Sequence, residues 1–524
     1  MAAARQGAEV AADGTVECDV LVVGGGINGA GIARDAAGRG LSVVLCEKDD
    51  LASHTSSAST KLIHGGLRYL EYYEFKLVRK ALQEREVLLR AAPHIMWPMR
   101  FVMPHDAAQR PAWLIRAGLF LYDHLAKRAF LPASQAITLA RHAAGAPLKP
   151  GYRKGFVYSD GWVDDARLVV LNALAAQERG AHILTGTACV DAHRDGDAWQ
   201  ATLQGPDGQR RSLRARAIVN AAGPWTAQFA GAAGGGKTQG LRLIKGSHII
   251  VPRLFEHPNA YIFQNPDQRI IFAIPYQDDY TLIGTTDEEY KGDVAQVKIS
   301  GDEIAYLCQA ANRYFRREIG PADVVWTYSG VRPLLDDSAR DASAVTRDYL
   351  LEVARGDTGT GAPLLNIWGG KITTYRKLAE EAMALLAPLL ANTRPAWTAD
   401  APLPGGDLQQ PGQLVDSHDF DGFLARFQQA HPWLPEKLAH RYARAYGSRA
   451  TRVLSGANSM AGLGAELAPG LYEAETRYLV DVEWARSCDD ILWRRSKLGL
   501  RCQPADVARL QLWLEACLAQ QVAA

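Results

Sequence analysis

The sequence predicts a three-part fold, α/β + α, in which a parallel α/β domain and an antiparallel-sheet domain precede a C-terminal helical domain. Three observations support this prediction. The apolar run 18–23 leads into the glycine-rich turn GGGINGAG, then a helical segment and a second apolar run. Between 247 and 287, short β-rich runs alternate with turn residues, as antiparallel strands do. After the Pro/Gly-rich stretch 394–412, segments such as 439–446 and 473–498 have helical composition.

Composition excludes several classes of protein. With 524 residues, 58 Lys+Arg and 57 Asp+Glu, the net charge of +1 does not favour nucleic-acid binding. The seven cysteines form no CxxC pair, so we expect a reducing compartment, no disulfide framework and no metal site. We also expect neither a membrane-spanning segment nor a secretory signal. The DFDG at 419–422 suggests an EF-hand, but Ser417 and Gln428 replace calcium-ligating acids, so we reject calcium binding.

We expect a discontinuous domain organisation, because the α/β segments are interrupted by β-rich ones. The predicted parts are a flexible tail (1–17), a Rossmann-type cofactor domain (18–95, 155–240 and 350–395), an antiparallel-sheet substrate domain (96–154 and 241–349), a linker (396–411) and the helical domain (412–520).

The glycine-rich turn predicts a dinucleotide site. Gly24, Gly26 and Gly29 form GxGxxG between a strand and a helix, and Glu47 ends the next strand. In such a turn the glycines admit the pyrophosphate to the backbone, the helix N-terminus favours phosphate, and the acid accepts from ribose hydroxyls. We include Asn28, within the turn, among the cofactor contacts. The motif alone leaves an NAD-dependent dehydrogenase open.

The segment 54–70 favours a flavin, FAD, over a nicotinamide. It places hydroxyl side chains ahead of the pair Gly65–Gly66, directly after the ribose acid. Hydroxyls suit phosphate and ribitol, and paired glycines allow a flat ring to approach the backbone. Near 368–374, glycine amides and Lys371 can stabilise negative charge at the edge of a reduced flavin. The further residues expected to contact the cofactor are Ser56, Ser57, Thr60, Lys61, Leu62, His64, Gly223, Gly369, Gly370, Lys371, Ile372 and Thr373.

Four motifs resemble one known family. They are SSASTKLIHGGLRYLEYYEFKLVRKALQEREVLL, GSHIIVP, YSGVRPL and GGKITTYRKLAE. The sequence is similar to the respiratory, FAD-dependent sn-glycerol-3-phosphate dehydrogenases, flavoproteins of the D-amino-acid-oxidase type, closely over 18–405 and more loosely beyond. The resemblance implies oxidation of glycerol 3-phosphate to dihydroxyacetone phosphate, with electrons passed from reduced FAD to ubiquinone or another membrane quinone. It further implies a homodimer bound peripherally at the cytoplasmic face of the inner membrane.

Binding a phosphate monoester dianion requires several converging cations, and arginine is preferred for its bidentate fork. Arg68, Arg332 and Lys371 match the family's phosphate-binding positions, and Tyr69 could add a hydroxyl. When hydride leaves C2 of the substrate, the C2 hydroxyl must lose a proton. His248 is the first candidate for that base, and Arg332 is a second catalytic candidate, as a charge that lowers the pKa of the alcohol.

The segment 111–128 predicts an amphipathic helix. At helical spacing, one arc carries Leu114, Ile115, Leu119, Leu121, Tyr122 and Leu125. Trp113 and Phe120 lie toward the basic face, where a helix at a membrane interface places them. We therefore expect this helix to be a membrane-facing foot, although packing on the protein's own core is the commoner role of such helices.

Several alternatives stay open. A glycerol-3-phosphate oxidase would share the fold and the substrate but reduce oxygen. An amine or amino-acid oxidase of the same flavin fold would need a carboxylate clamp and not three cations. A flavin-loaded regulatory module would act through its helical tail. His64 is a conceivable covalent flavin attachment site, but we expect noncovalent FAD.

Overall fold

The computed structural model describes residues 9–10, 16–106, 109–234, 239–335, 348–356, 359–408 and 419–523. Within these ranges the helices are α1 (Ile27–Gly38), α2 (Phe75–Ala91), α3 (Ala112–His124), α4 (Asp165–Gln177), α5 (Thr226–Ala232), α6 (Gly301–Tyr314), α7 (Tyr375–Leu386), α8 (Phe420–Ala430), α9 (Glu436–Tyr446), α10 (Ala450–Leu454), α11 (Glu473–Val482) and α12 (Pro504–Ala523), with a π-helical turn at Asp490–Ser496.

The strands in the same ranges are β1 (Glu9–Val10), β2 (Val16–Val23), β3 (Val43–Cys46), β4 (Leu62–Ile63), β5 (Met96–His105), β6 (Gln135–Thr138), β7 (Lys154–Val163), β8 (His182–Leu184), β9 (Ala188–Asp195), β10 (Ala198–Gln204), β11 (Arg210–Asn220), β12 (Leu241–Pro252), β13 (Ala260–Gln264), β14 (Ile270–Tyr276), β15 (Tyr280–Gly284), β16 (Glu288–Glu289), β17 (Trp326–Leu335), β18 (Leu350–Ala354), β19 (Leu364–Trp368), β20 (Glu466–Ala468) and β21 (Leu471–Tyr472).

The predicted cofactor domain is built on a parallel sheet. Its central strands run in the order β19-β11-β2-β3-β8, all parallel, and β18 adds an antiparallel edge. The β2 residues Val20–Val22 are fully buried because helices cover this sheet. Helix α1 lies against α4 and α7, and Gly31 permits the close approach to α7: a Cβ there would lie 2.7 Å from Cδ2 of Tyr375.

The predicted substrate domain is a second, mainly antiparallel sheet. Its strands run in the order β16-β12-β15-β14-β13-β5-β7-β4, with β17 paired to β12. Two predicted boundaries are wrong. Strands β4 and β7 fall in ranges assigned to the cofactor domain, yet β7 pairs with β5 along its whole length and β4 pairs with β7. The chain changes sheets at the loop before β4, so a boundary placed between 95 and 96 cuts through one sheet.

The predicted tail and linker are more ordered than expected. The N-terminal segment 9–10 pairs with the start of β2, so the tail assigned to 1–17 contains a strand. In the linker, the indole of Trp397 donates to the carbonyl of Asp35, and Arg34 donates to the carbonyl of Ala401. The described part of the linker is therefore packed on α1. Ser417 lies outside the described residues, and with it this part of the EF-hand comparison. Asp419 caps α8 by accepting from the amide of Gly422.

The C-terminal domain is mainly helical, as predicted, but the expected helix 473–498 is interrupted. Helix α11 ends at Val482, and the Asp490 carboxylate accepts from the amides of Arg486 and Ser487, which starts a new turn. The break allows Glu483 to turn inward and pair with Arg167 of α4. Among the described residues, no helix combines the length and apolar character needed to cross a bilayer.

We expect Glu483→Ala to destabilise the protein strongly. The change leaves the Arg167 guanidinium buried without its carboxylate, which costs about 3–5 kcal/mol for a pair of this kind. Urea unfolding followed by circular dichroism measures the loss. As the matched control, Glu318→Gln breaks the exposed pair with Lys149 and should cost about 0–1 kcal/mol. Equal losses for the two variants would contradict the prediction.

Candidate active site

The glycine-rich turn joins β2 to α1 by close backbone contact. A Cβ placed on Gly29 would lie 1.9 Å from the carbonyl oxygen of Gly24, and Gly24 itself has a φ of +111°. Helix α1 begins at Ile27, whose amide donates to the hydroxyl of Ser56. The geometry is that of a phosphate-binding turn, with the helix N-terminus at its mouth.

Glu47 is placed as predicted at the end of β3, but both of its oxygens already accept main-chain hydrogen bonds. Oε2 accepts from Gly25 at 2.7 Å and Oε1 accepts from Asp49 at 2.9 Å. Burial raises the pKa of this carboxyl, and the two amide donors oppose the rise. The side chain thus shapes the glycine turn, a role that its spacing alone did not predict.

A cavity of about 430 Å³ opens at this turn. Gly24, Gly26, Glu47, Ser56 and Gly223 line it, so predicted contacts from three chain segments share one space. Sequence reasoning missed the aromatic and charged wall, formed by Lys48, His54 and Trp225. Glycines that leave room for phosphates, together with hydroxyl and amide donors, fit the dinucleotide half of FAD.

A second glycine turn closes on the first. Gly369 and Gly370 both have positive φ, and Asn28 donates to the carbonyl of Gly369 at 3.1 Å. Further along the turn, the hydroxyl of Thr373 accepts from the amide of His64. Ile372 lies in the same turn, so the predicted contacts of 24–29, 64 and 369–373 belong to one neighbourhood.

The loop before β4 contacts both His248 of the second sheet and Asp165 of α4. The hydroxyl of Thr60 lies 3.0 Å from Nε2 of His248. The ammonium of Lys61 is buried in an ion pair with Asp165 at 2.6 Å and also donates to the carbonyl of Ser57. The Lys61 ammonium is therefore bound inside the protein, and Leu62 is buried in the core; the cofactor contact of these two residues stays a prediction. Sequence reasoning missed Asp165, which only the helical start at VDDAR could have marked.

His248 is buried on β12 and stacked on Tyr328 of β17, with ring centroids 4.7 Å apart. Burial, and then the charges of Lys61 and Arg332, hold the pKa of His248 well below its ordinary value. The imidazole is therefore neutral at pH 7 and can accept a proton.

The predicted phosphate ligands lie in two places, one on β17 and one near the glycine turn at 369–373. Arg332, on β17, pairs with Asp287 at 2.8 Å, and its guanidinium lies beside Gly246, two residues before His248. Lys371 lies over the ring of Tyr69 at 4.2 Å, and Arg68 precedes that tyrosine. The backbone of the turn that carries Lys371 approaches the strand that carries Arg332, since a Cβ on Gly369 would lie 3.5 Å from the carbonyl oxygen of Pro333. Sequence reasoning missed Asp287.

Comparisons with known proteins agree with this geometry. Residues 19–376 match the family described as FAD dependent oxidoreductase, and residues 396–511 match the C-terminal domain of alpha-glycerophosphate oxidase. The chain is therefore a flavoprotein of the FAD-dependent oxidoreductase family, an enzyme whose cofactor is FAD.

Full-length relatives narrow the family. The chain is 56% identical over 498 residues to a glycerol-3-phosphate dehydrogenase of Pseudomonas aeruginosa, covering 95% of each chain. It is 52% identical over 500 residues to a D-erythritol 1-phosphate dehydrogenase of Brucella abortus, covering 95% of this chain and 98% of that one. The crystal structure of the glycerol-3-phosphate dehydrogenase of Bacillus halodurans with FAD superposes with a TM-score of 0.74 at 27% identity, covering 96% and 90%. The chain belongs to the glycerol-3-phosphate dehydrogenase family.

We expect Gly29→Ala to abolish FAD binding. The new Cβ would collide with the carbonyl of Gly24, and the turn would have to open. The ratio of flavin to protein absorbance in the purified variant measures the loss. In the control Gly301→Ala, the added Cβ meets no atom within 4 Å, so flavin content should be unchanged. A folded Gly29→Ala variant with a full complement of flavin would refute this account of the turn.

Proposed function

We propose that the protein oxidises sn-glycerol 3-phosphate to dihydroxyacetone phosphate and passes the electrons to a membrane quinone. The observation that carries the proposal lies on the paired strands β12 and β17: the guanidinium of Arg332 reaches Gly246, two residues before neutral His248. Lys371 lies over the ring of Tyr69 at the glycine turn that follows β19. A base beside cations suits an alcohol that carries a phosphate group.

The chain's own residues have distinct roles in this proposal. Arg68, Arg332 and Lys371 bind the phosphate dianion, with the Tyr69 hydroxyl as a further donor. His248 accepts the proton of the C2 hydroxyl, and Arg332 stabilises the developing alkoxide. Arg332 must then exchange part of its contact with Asp287 for the substrate. When bound, FAD supplies the acceptor for the hydride from C2.

A second substrate has a specific observation in its favour. The 52% identical relative is named for D-erythritol 1-phosphate, a longer phosphomonoester, so identity alone does not separate the two substrates. Anaerobic titration of the protein with each compound, followed by bleaching of the flavin, distinguishes the two substrates. Glycerol 3-phosphate should bleach the flavin at lower concentration; bleaching by the longer ester alone would replace the proposed substrate. Bleaching by glycine or sarcosine and by neither ester would favour an amino-acid oxidase.

The electron acceptor needs its own measurement. We expect reduction of a ubiquinone analogue to exceed hydrogen peroxide formation in aerated solution. Stoichiometric peroxide, with no quinone reduction, would assign the protein to the oxidases instead.

We expect His248→Ala to slow flavin reduction by roughly 10²- to 10⁴-fold, the effect of losing a general base. Anaerobic stopped-flow mixing with glycerol 3-phosphate measures the rate. FAD content should be unchanged, because His248 lies on the substrate sheet. His193→Ala, on the exposed strand β9, is the matched control and should keep the full rate. An unaltered rate in His248→Ala would remove this residue from the role of base.

Membrane attachment is the remaining part of the proposal. Helix α3 buries Leu119 and Tyr122 but exposes Leu114 and Leu121, so the predicted single apolar arc is divided between core and surface. The exposed apolar surface of α3 and the adjoining segment 67–75 consists of Tyr72, Tyr73, Phe75, Trp113, Leu114, Phe120 and Leu121. Basic side chains of Arg79, Lys127 and Arg128 border the end of α3. We propose that this surface binds the cytoplasmic face of the inner membrane. The homodimer stays a prediction.

We expect Trp113→Ser combined with Phe120→Ser to reduce binding to anionic vesicles, because these side chains are 72% and 57% exposed. Co-sedimentation with vesicles at low salt measures the loss. Leu512→Ser on α12, where the leucine is 70% exposed, removes apolar surface elsewhere and should leave binding unchanged. Equal binding by both variants would exclude α3 as the attachment site.

A further inference from the structure

One buried carboxylate organises the loop that approaches His248. Asp165, the first residue of α4, is fully buried. Its Oδ2 accepts from the hydroxyl of Ser59 at 2.7 Å and from the amide of Ser59 at 3.2 Å. Its Oδ1 accepts from the ammonium of Lys61 at 2.6 Å. The residues on either side of Thr60 are thus tied to the same side chain.

The loop is held in a conformation that it would not keep by itself. Lys61 has a φ of +60°, which is unfavourable for a residue with a side chain. Its ammonium also donates to the carbonyl of Ser57, and the hydroxyl of Tyr328 donates to the carbonyl of Ser59. Thr60 is therefore presented from a loop fixed on both sides, and Asp165 supplies three of the fixing contacts.

Thr60 is the point at which this loop meets the imidazole. Its hydroxyl lies 3.0 Å from Nε2 of His248. The ring of Tyr328 stacks on the same imidazole. The charged groups that act on His248 are Lys61 and Arg332. Because Asp165 pairs with Lys61, it also offsets one of the two positive charges that disfavour protonation of His248.

Helix α4 accounts for only part of the hydrogen bonding of the Asp165 carboxylate. The preceding Asp164 is the N-cap, accepting from the amide of Arg167, and it pairs with Lys497 of the C-terminal domain. Asp165 accepts from the amide of Ala166 in the first turn of α4, and its other contacts go to the loop, where Lys61 lies 104 positions earlier in the chain. Both acids thus contact the first turn of α4, but only Asp165 also binds the loop at Ser59 and Lys61.

We propose that Asp165 is a positioning residue for the oxidation: through Ser59 and Lys61 it places the Thr60 hydroxyl against Nε2 of His248 and so fixes the orientation of the base. The inference rests on the proposed function, because it assigns to His248 the acceptance of the substrate proton. Asp165 itself touches no reacting atom.

The test is anaerobic flavin reduction in the full-length holoenzyme. In Asp165→Asn, we expect flavin content and the dissociation constant for glycerol 3-phosphate to change less than about twofold, while the limiting reduction rate falls about 10- to 100-fold, the effect of a misplaced catalytic group. The matched control Asp164→Asn removes the same charge one residue earlier. Asparagine also caps helices, so this control should keep the rate within about twofold. A full rate in flavin-loaded Asp165→Asn overturns the proposal.

A double-mutant cycle separates positioning from general destabilisation. Thr60→Val should lower the limiting rate, and Thr60→Ser, which keeps the hydroxyl, should restore most of it. If Asp165 acts through Thr60, Asp165→Asn should add little to Thr60→Val or to His248→Ala. Multiplicative losses overturn the proposal and indicate a structural role alone.

Misfolding of a variant and failure of the proposed base can each be distinguished from failure of the positioning role. If Asp165→Asn does not fold, Ser59→Ala is the substitute variant, because it removes one contact of Asp165 without leaving a buried charge unpaired. Ser59→Ala should lower the limiting rate, and its effect should be non-additive with that of Thr60→Val. An unchanged rate in Ser59→Ala overturns the proposal. If His248→Ala keeps its rate while the other variants behave as expected, it is the proposed base that fails. Loss in His248→Ala with full rates in Asp165→Asn and Thr60→Val refutes only the positioning role.

Discussion

The parallel strands all end on the same side of the sheet, and this constraint determines where the rest of the site lies. Strands β2, β11 and β19 run in register, so Val23 and Asn220, the last residues of their strands, lie beside Asn366, two residues before the end of β19. The side chains of Asn220 and Asn366 are hydrogen-bonded at 2.8 Å, which joins the ends of two strands. From this edge come the glycine turn at 24–29, the turn at 221–223 and the turn at 369–373. A ligand held there meets three distant chain segments at once.

The C-terminal domain contacts both sheets and helps to hold them together. Arg495 pairs with Asp50 after β3, and Arg167 of α4 pairs with Glu483, so the cofactor side is held by buried charges. On the substrate side, Trp493 stacks on Trp326, the first residue of β17, with ring centroids 3.7 Å apart. The C-terminal domain thus contacts both the strand that carries Arg332 and the sheet whose strand β3 precedes Glu47. This gives the helical tail a positional role.

The sequence predicted the parts of the site that follow from local pattern. The GxGxxG turn, the hydroxyl-rich loop and the 369–373 turn all depend on short spacing, and the structure brings them to one edge. The role of Asp165 could not be predicted, since it depends on the N-terminus of α4 meeting a loop about a hundred residues earlier. The interruption of the helix at 483–489 could not be predicted for the same reason, because Glu483 pairs with an arginine more than three hundred residues away in the chain.

The substrate proposed here resolves an electrostatic conflict within the site. Cations that bind a phosphate dianion also disfavour protonation of a nearby imidazole, and the pKa of His248 is lowered by burial and by two such charges, Lys61 and Arg332. Asp165 offsets the charge of Lys61 permanently. The charge of Arg332 is offset in part by Asp287, and the arriving dianion adds negative charge of its own. The His248 imidazole is thus a weak base by itself, and the negative charge of the proposed phosphate ester would favour its protonation.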